Sequence, residues 1–109
     1  MPGSDVTRPI AQPLQLRHRT LRNRVNFGAH TANMSVDGLP SERHVGYYRE
    51  RARGGVGMIV VEPVPVHRTA VLTRGNFLHS TDEIIPHFRK ITDAVHAEAA
   101  PQRAVAGDR

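Results

Sequence analysis

Two short stretches hold the residues best placed to do chemistry: Gly28-Ala29-His30-Thr31 and Glu62-Pro63. Each follows an apolar run with strand character, ending in Val25-Asn26-Phe27 in one case and Met58-Ile59-Val60-Val61 in the other. Both are therefore expected at the carboxyl ends of strands, where parallel α/β proteins bind their ligands. Gly28 and Ala29 carry so little side chain that a planar ligand can approach the backbone closely. Thr31 can offer its hydroxyl to such a ligand or cap a turn with it. His30 reads equally as a ring contact or as a hydrogen-bonded filler. Glu62 has the chemistry of a general base, since burial raises a carboxylate's pKa, but a structural role is expected, with Arg24 reaching it or another buried acid as an ion pair that organises the strand end.

The elements that must carry these residues follow from periodicity and turn chemistry. Residues 1–12 hold Pro2, Gly3 and Pro9 among few apolar residues and read as an extended lead-in. Leu14 and Leu16 alternate before a polar Arg17-His18-Arg19-Thr20 turn, which suggests a small hairpin. A first strand is expected over residues 24–28, followed by a long loop with a turn at Asp37-Gly38. Ser41 is placed to cap a helix over residues 41–53, with Val45, Tyr48 and Ala52 as its apolar stripe and Arg43, Arg49, Glu50 and Arg53 outward. Tyr47 and Tyr48 read as packing residues on that helix. Gly54-Gly55 ends it.

The run 56–61 is almost continuously apolar and β-branched, as suits a strand covered on both faces. A crossover through the helix would set it parallel to the first strand. Residues 63–79 show no period and are expected to form a functional excursion. Ser80-Thr81-Asp82-Glu83 matches a capping box. Ile84, Phe88, Ile91 and Val95 then share one face of a second helix, with Pro86 either kinking it or marking its start.

Composition narrows the classes. The net charge of +5 comes almost wholly from arginine, with Arg17, Arg19, Arg22 and Arg24 the densest run. No aromatic residues interleave them, so a solvated basic surface is expected in preference to a nucleic-acid interface. With no cysteine, disulfides, thiolate catalysis and cysteine-bound metal are excluded. The seven histidines show no ligand spacing, and no metal site is expected. No apolar run approaches the roughly 20 residues of a membrane span, and the start lacks signal-peptide order, so a cytoplasmic setting is expected.

Five motifs occur in order: Pro13-Leu14, Leu21-Arg22-Asn23-Arg24-Val25, Tyr47-Tyr48 with Arg51-Ala52, Gly57-Met58-Ile59-Val60-Val61-Glu62, and Ile91-Thr92-Asp93-Ala94-Val95-His96. Together they resemble the old yellow enzyme family of NADH:flavin oxidoreductases. Gly28-Ala29-His30-Thr31 is most similar to the branch of dienoyl-CoA reductases, trimethylamine dehydrogenase and N-methyl amino-acid demethylases. The resemblance covers residues 13–98 and implies about two βα units from the N-terminal part of an FMN-binding (β/α)8 TIM barrel, a fold of roughly 250 residues when closed. Residues 99–109 do not match and are expected to be a tail.

The resemblance further implies that Ala29, His30 and Thr31 lie against the flavin ring, Thr31 as a hydrogen-bonding partner. Ala29 stands where proline is common. Pro63 stands where the family has a small residue; it can pack on the ring but has no N–H to donate. The implied activity is hydride transfer through FMN, with NADH or NADPH as reductant and a small-molecule substrate. The family's third-strand glutamine, its substrate-binding histidine pair, its proton-donating tyrosine and its phosphate-binding arginines would fall beyond residue 98. No catalytic residue is therefore assigned, and the chain is expected to be inactive alone. The alternatives are a small basic nucleic-acid-binding protein and an inert truncated product.

Overall fold

The computed structural model describes residues 8–71, 73–78 and 81–98. Strands β1 (Leu14–Leu16) and β2 (Arg19–Leu21) form an antiparallel hairpin in the register Leu14↔Leu21, Gln15↔Thr20 and Leu16↔Arg19. Its two-residue connection is tight, and Arg17 adopts φ 35°, in keeping with the positive φ that such hairpin loops require.

Strand β3 (Asn26–Phe27) pairs in parallel with β4 (Met58–Ile59), the pairing the apolar runs predict. Both strands are shorter than the sequence suggests. The helix α1 (Glu42–Arg53) connects them and buries His44, Tyr48 and Ala52, one residue per turn along one stripe. Val45, expected in that stripe, is only half-buried, and His44 takes the inner position. The Ser41 hydroxyl donates to Met34 O at 3.1 Å, while the Ser41 N–H donates to His44 Nδ1 at 3.0 Å. At the other end Gly54 stays right-handed and Gly55 takes φ +110°.

Arg22 and Asn23 fasten the hairpin's exit to the end of α1. Arg22 donates to Ala52 O at 2.7 Å and to Val56 O at 3.2 Å, and Asn23 Nδ2 donates to Gly55 O at 2.6 Å. Ala52 O also accepts the Gly55 N–H at 3.0 Å, and the side-chain donors satisfy the carbonyls of Gly55 and Val56 just past the helix end. A Cβ on Gly57 would stand 2.4 Å from Asn23 O, which makes glycine obligatory there.

After β4 the chain makes one 3₁₀ turn, Arg68–Ala70, and then residues 73–78 dock on the β3–α1 loop. Asn33 Oδ1 accepts the Gly75 N–H at 2.9 Å, Ser35 Oγ donates to Asn76 O at 2.7 Å, and the Leu78 N–H donates to Gly38 O at 2.9 Å. Asp37-Gly38 forms the expected turn, with φ of 54° and 77°. The aperiodic stretch thus braces the loop carrying Thr31. A 3₁₀ turn, Asp82–Ile84, leads into α2 (Ile85–Glu98), with Pro86 near its start rather than at a kink. Thr81 is the N-cap of that lead-in turn; Ser80, the expected cap, lies outside the described residues. The core gathers Tyr48, Ala52, Phe77, Ile84 and Ile91 between the two helices and the docked segment.

One expectation fails in β4. The run 56–61 is not covered on both faces, since Met58 is 37 % and Val60 42 % exposed. From Met58 on, burial alternates, with Ile59 and Val61 partly buried between exposed neighbours, because the described residues supply one covering layer.

Candidate functional site

Because β3 and β4 run parallel, residues 28–31 and 60–63 leave the sheet on the same side. Glu62 bridges the two exits. Its Oε1 accepts the Ala32 N–H at 3.2 Å, next to Thr31, and its Oε2 accepts the Tyr48 hydroxyl at 2.6 Å. His44 Nε2 stands 3.5 Å from Oε1. Glu62, Tyr48 and His44 are all buried. The cluster therefore ties α1, the end of β4 and the loop after β3 into one unit.

The expected pair between Arg24 and Glu62 does not form. Arg24 is exposed and donates to Pro13 O at 3.1 Å. Two tyrosines read as simple packing prove to donate hydrogen bonds, Tyr48 to Glu62 and Tyr47 to His30. The four-arginine run is also not a uniform solvated surface, since Arg22 is turned inward to helix carbonyls.

The protonation states in this cluster follow from its geometry. His44 Nδ1 accepts from the Ser41 backbone, so a neutral ring carries its proton on Nε2, facing Glu62. Burial lowers the His44 pKa from 6.5, Glu62 opposes that shift, and Arg43 adds to it. Burial first, and then the bond to Glu62, raises the Tyr48 pKa, so its hydroxyl keeps its proton and remains a donor.

A folded pKa below the unfolded value of 6.5 means that the unfolded chain binds more protons as pH falls. Stability from His44 is therefore complete above about pH 6.5 and declines below it, with a slope of at most about 1.4 kcal/mol per pH unit. His44→Gln keeps an acceptor at the third helical position but does not titrate in this range, so it should flatten that slope. Urea unfolding at mildly acidic and neutral pH checks this, and an unchanged slope in the variant contradicts it.

The sequence-predicted site residues divide into two groups. Thr31 is half-buried, and its Oγ1 accepts from Asn76 Nδ2 at 3.3 Å, which leaves its O–H to donate. Ala29 and Pro63 are exposed at the two strand exits, and a Cβ on Gly28 would meet nothing within 4 Å. An open, largely apolar ledge with one hydroxyl at its edge results, which suits a flat heteroaromatic ring. His30 instead turns toward α1. Its Nδ1 lies 3.3 Å from Gly28 O and its Nε2 2.7 Å from the Tyr47 hydroxyl, so Nδ1 carries the proton and Nε2 accepts from Tyr47. Arg51 lies over the Tyr47 ring at 3.8 Å, and Phe27 meets His30 edge-on.

The chain belongs to the NADH:flavin oxidoreductase / NADH oxidase family, whose pattern matches residues 9–102. Among curated relatives, a probable N-methylproline demethylase of Rhizobium meliloti is 45 % identical over 84 % of this chain and 14 % of its own length. The N,N-dimethylglycine/sarcosine dehydrogenase of Chromohalobacter salexigens is 38 % identical over 80 % of this chain and 13 % of its own. The old yellow enzyme from Trypanosoma cruzi superposes with a TM-score of 0.69 at 30 % identity, covering 84 % of this chain and 24 % of that one. A 2-naphthoyl-CoA reductase does so at 0.78 and 26 %, covering 83 % of this chain and 14 % of that one. The chain thus spans about a seventh of the curated relatives named here, and its fold is part of the TIM barrel that the structural relatives share.

Proposed function

We propose that this chain supplies the first two βα units of an FMN-dependent oxidoreductase, forming one wall of the flavin site. The observation that carries the reading is the ledge at the two parallel strand exits, with Ala29, Thr31 and Pro63 along it and the buried Glu62 bridge behind it. FMN supplies hydride transfer when bound, with NADH or NADPH as the reductant, and the protein's part is to hold and orient it. Thr31 offers a hydroxyl proton to the ring edge and is fixed by Asn76. Ala29 and Pro63 exclude water from one ring face. His30 is held by Tyr47 and sets the path of the backbone between Gly28 and Thr31. Similarity to the N-methylproline demethylase favours a small N-methylated amine as the substrate class. The absence of any helix long and apolar enough to cross a membrane, among the described residues, is in keeping with a soluble enzyme of the cytoplasm.

The test is a graft. Residues 13–98 replace the matching segment of the Rhizobium meliloti demethylase, and Thr31→Ala is made in the graft. Losing one hydrogen bond to the ring should cost roughly 0.5–1.5 kcal/mol, seen as a shifted flavin absorption band and a reduction potential displaced by a comparable energy. A spectrum and potential identical to the unmutated graft would remove Thr31 from the site.

A further inference from the structure

Residues 73–77 interlock with the loop that carries Thr31. Asn33, at φ 65°, turns its Oδ1 to the Gly75 N–H at 2.9 Å and to the Thr73 hydroxyl. The Ser35 N–H donates to Gly75 O at 3.1 Å, and the Ser35 hydroxyl donates to Asn76 O. A Cβ on Gly75 would stand 2.4 Å from Asn33 O, so glycine alone lets the two backbones approach this closely. Asn76 lies inside the contact, 5 % exposed. All of these partners fall within residues 31–76, so the interlock is complete without any element beyond α2.

The Asn76 amide has one orientation here. Its oxygen accepts the Thr73 N–H at 2.7 Å, and a backbone N–H can only donate, so the nitrogen end is the one at Thr31. That Nδ2 stands 3.3 Å from Thr31 Oγ1 and has protons to give and no lone pair to offer, so Oγ1 accepts. The hydroxyl's single proton is thereby turned away from Asn76. Among the described residues no acceptor takes it.

We infer that Asn76 is a positioning residue for the flavin, one that sets the polarity of Thr31 so that the hydroxyl meets the ring as a donor. The inference rests on the reading of the ledge as a wall of the flavin site. Hydrogen bonds to a flavin ring tune its electronics. Its acceptor atoms change in electron density on reduction, so a donor held against them displaces the reduction potential. The polarity is reversible in principle. A carboxylate in place of the Asn76 amide only accepts, so Thr31 would turn its proton inward and present lone pairs to the ring. A side chain that merely tied the two loops together would have no such hold on the direction of the bond.

The test is a cycle of four proteins built on the demethylase graft: the graft itself, Thr31→Val, Asn76→Asp and the two together. Asn76→Asp keeps the side chain's shape and an acceptor for the Thr73 N–H. Reduction potentials are measured at about pH 9, so that a carboxyl raised by burial is still ionised. Thr31→Val should displace the potential in the graft with Asn76, where it removes a donor from the ring. In the Asn76→Asp graft it should leave the potential nearly unchanged, because the hydroxyl has already turned inward. The added charge cancels, since it is present on both sides of that second comparison. Equal displacements in the two backgrounds would reduce Asn76 to a structural tie and overturn the inference alone. A graft that holds no FMN would overturn the flavin reading and the inference with it. Where the Asn76→Asp graft does not fold, ¹⁵N–¹H spectra of the 109-residue chain decide instead. Thr31→Val should move the Asn76 side-chain amide signals, and Thr31→Ser, which keeps the hydroxyl, should leave them in place. Signals that respond to both substitutions alike, or to neither, would overturn the inference.

Discussion

Glu62→Leu should unfold much of this chain. The leucine fills the volume but leaves the Tyr48 hydroxyl and the Ala32 N–H without an acceptor in a buried place, and takes away the carboxylate that stands 3.5 Å from His44 Nε2. Removing one partner from a buried charged cluster costs roughly 3–5 kcal/mol, comparable with the lower end of the roughly 5–15 kcal/mol that holds a whole domain together. Glu62→Gln should cost less, about 1–3 kcal/mol, because its amide oxygen still accepts one bond. Urea unfolding followed by circular dichroism ranks the three chains. A leucine variant as stable as the parent would show that the bridge between the strand exits contributes nothing, and the account of how the Thr31 loop is held would fail with it.

The second large effect concerns the cofactor. The 109-residue chain alone should bind FMN no better than millimolar, a free energy of about −4 kcal/mol. Its ledge offers apolar contact and the Thr31 hydroxyl, but no lysine or arginine occurs in residues 28–31 or 60–63 to meet the phosphate. In TIM barrels that anchor typically comes from loops after strands seven and eight. Equilibrium dialysis against FMN measures this directly. A micromolar dissociation constant would mean that these two βα units hold the flavin by contacts the ledge does not display.

Much of the framework was legible because its signals are local. The hairpin, the Asp37-Gly38 turn, the Ser41 cap and the parallel pairing of β3 with β4 each follow from a few neighbouring residues whose chemistry has one main outcome. The site's wiring was less legible. Arg24 and Arg22 are two apart in an extended segment, and the choice of which one reaches inward depends on a contact with α1 thirty residues away. His44 was missed as a core residue because helical periodicity counts histidine as polar. The available signal was its place three residues after Ser41, where a capping-box acceptor belongs. Tyr47 and Tyr48 looked alike on the helix, yet their hydroxyls reach different partners, His30 at one strand exit and Glu62 at the other. Met58 and Val60 stayed exposed because an unbroken apolar run does not say how many covering layers the neighbouring chain provides.

The central claim, that these residues build one wall of an FMN site, is tested most directly by the flavin content of the demethylase graft carrying residues 13–98. A yellow protein with close to one FMN per chain is expected, bleached anaerobically by NADH or NADPH. A graft that folds, shown by its circular dichroism and monodisperse elution, yet contains no FMN would contradict it.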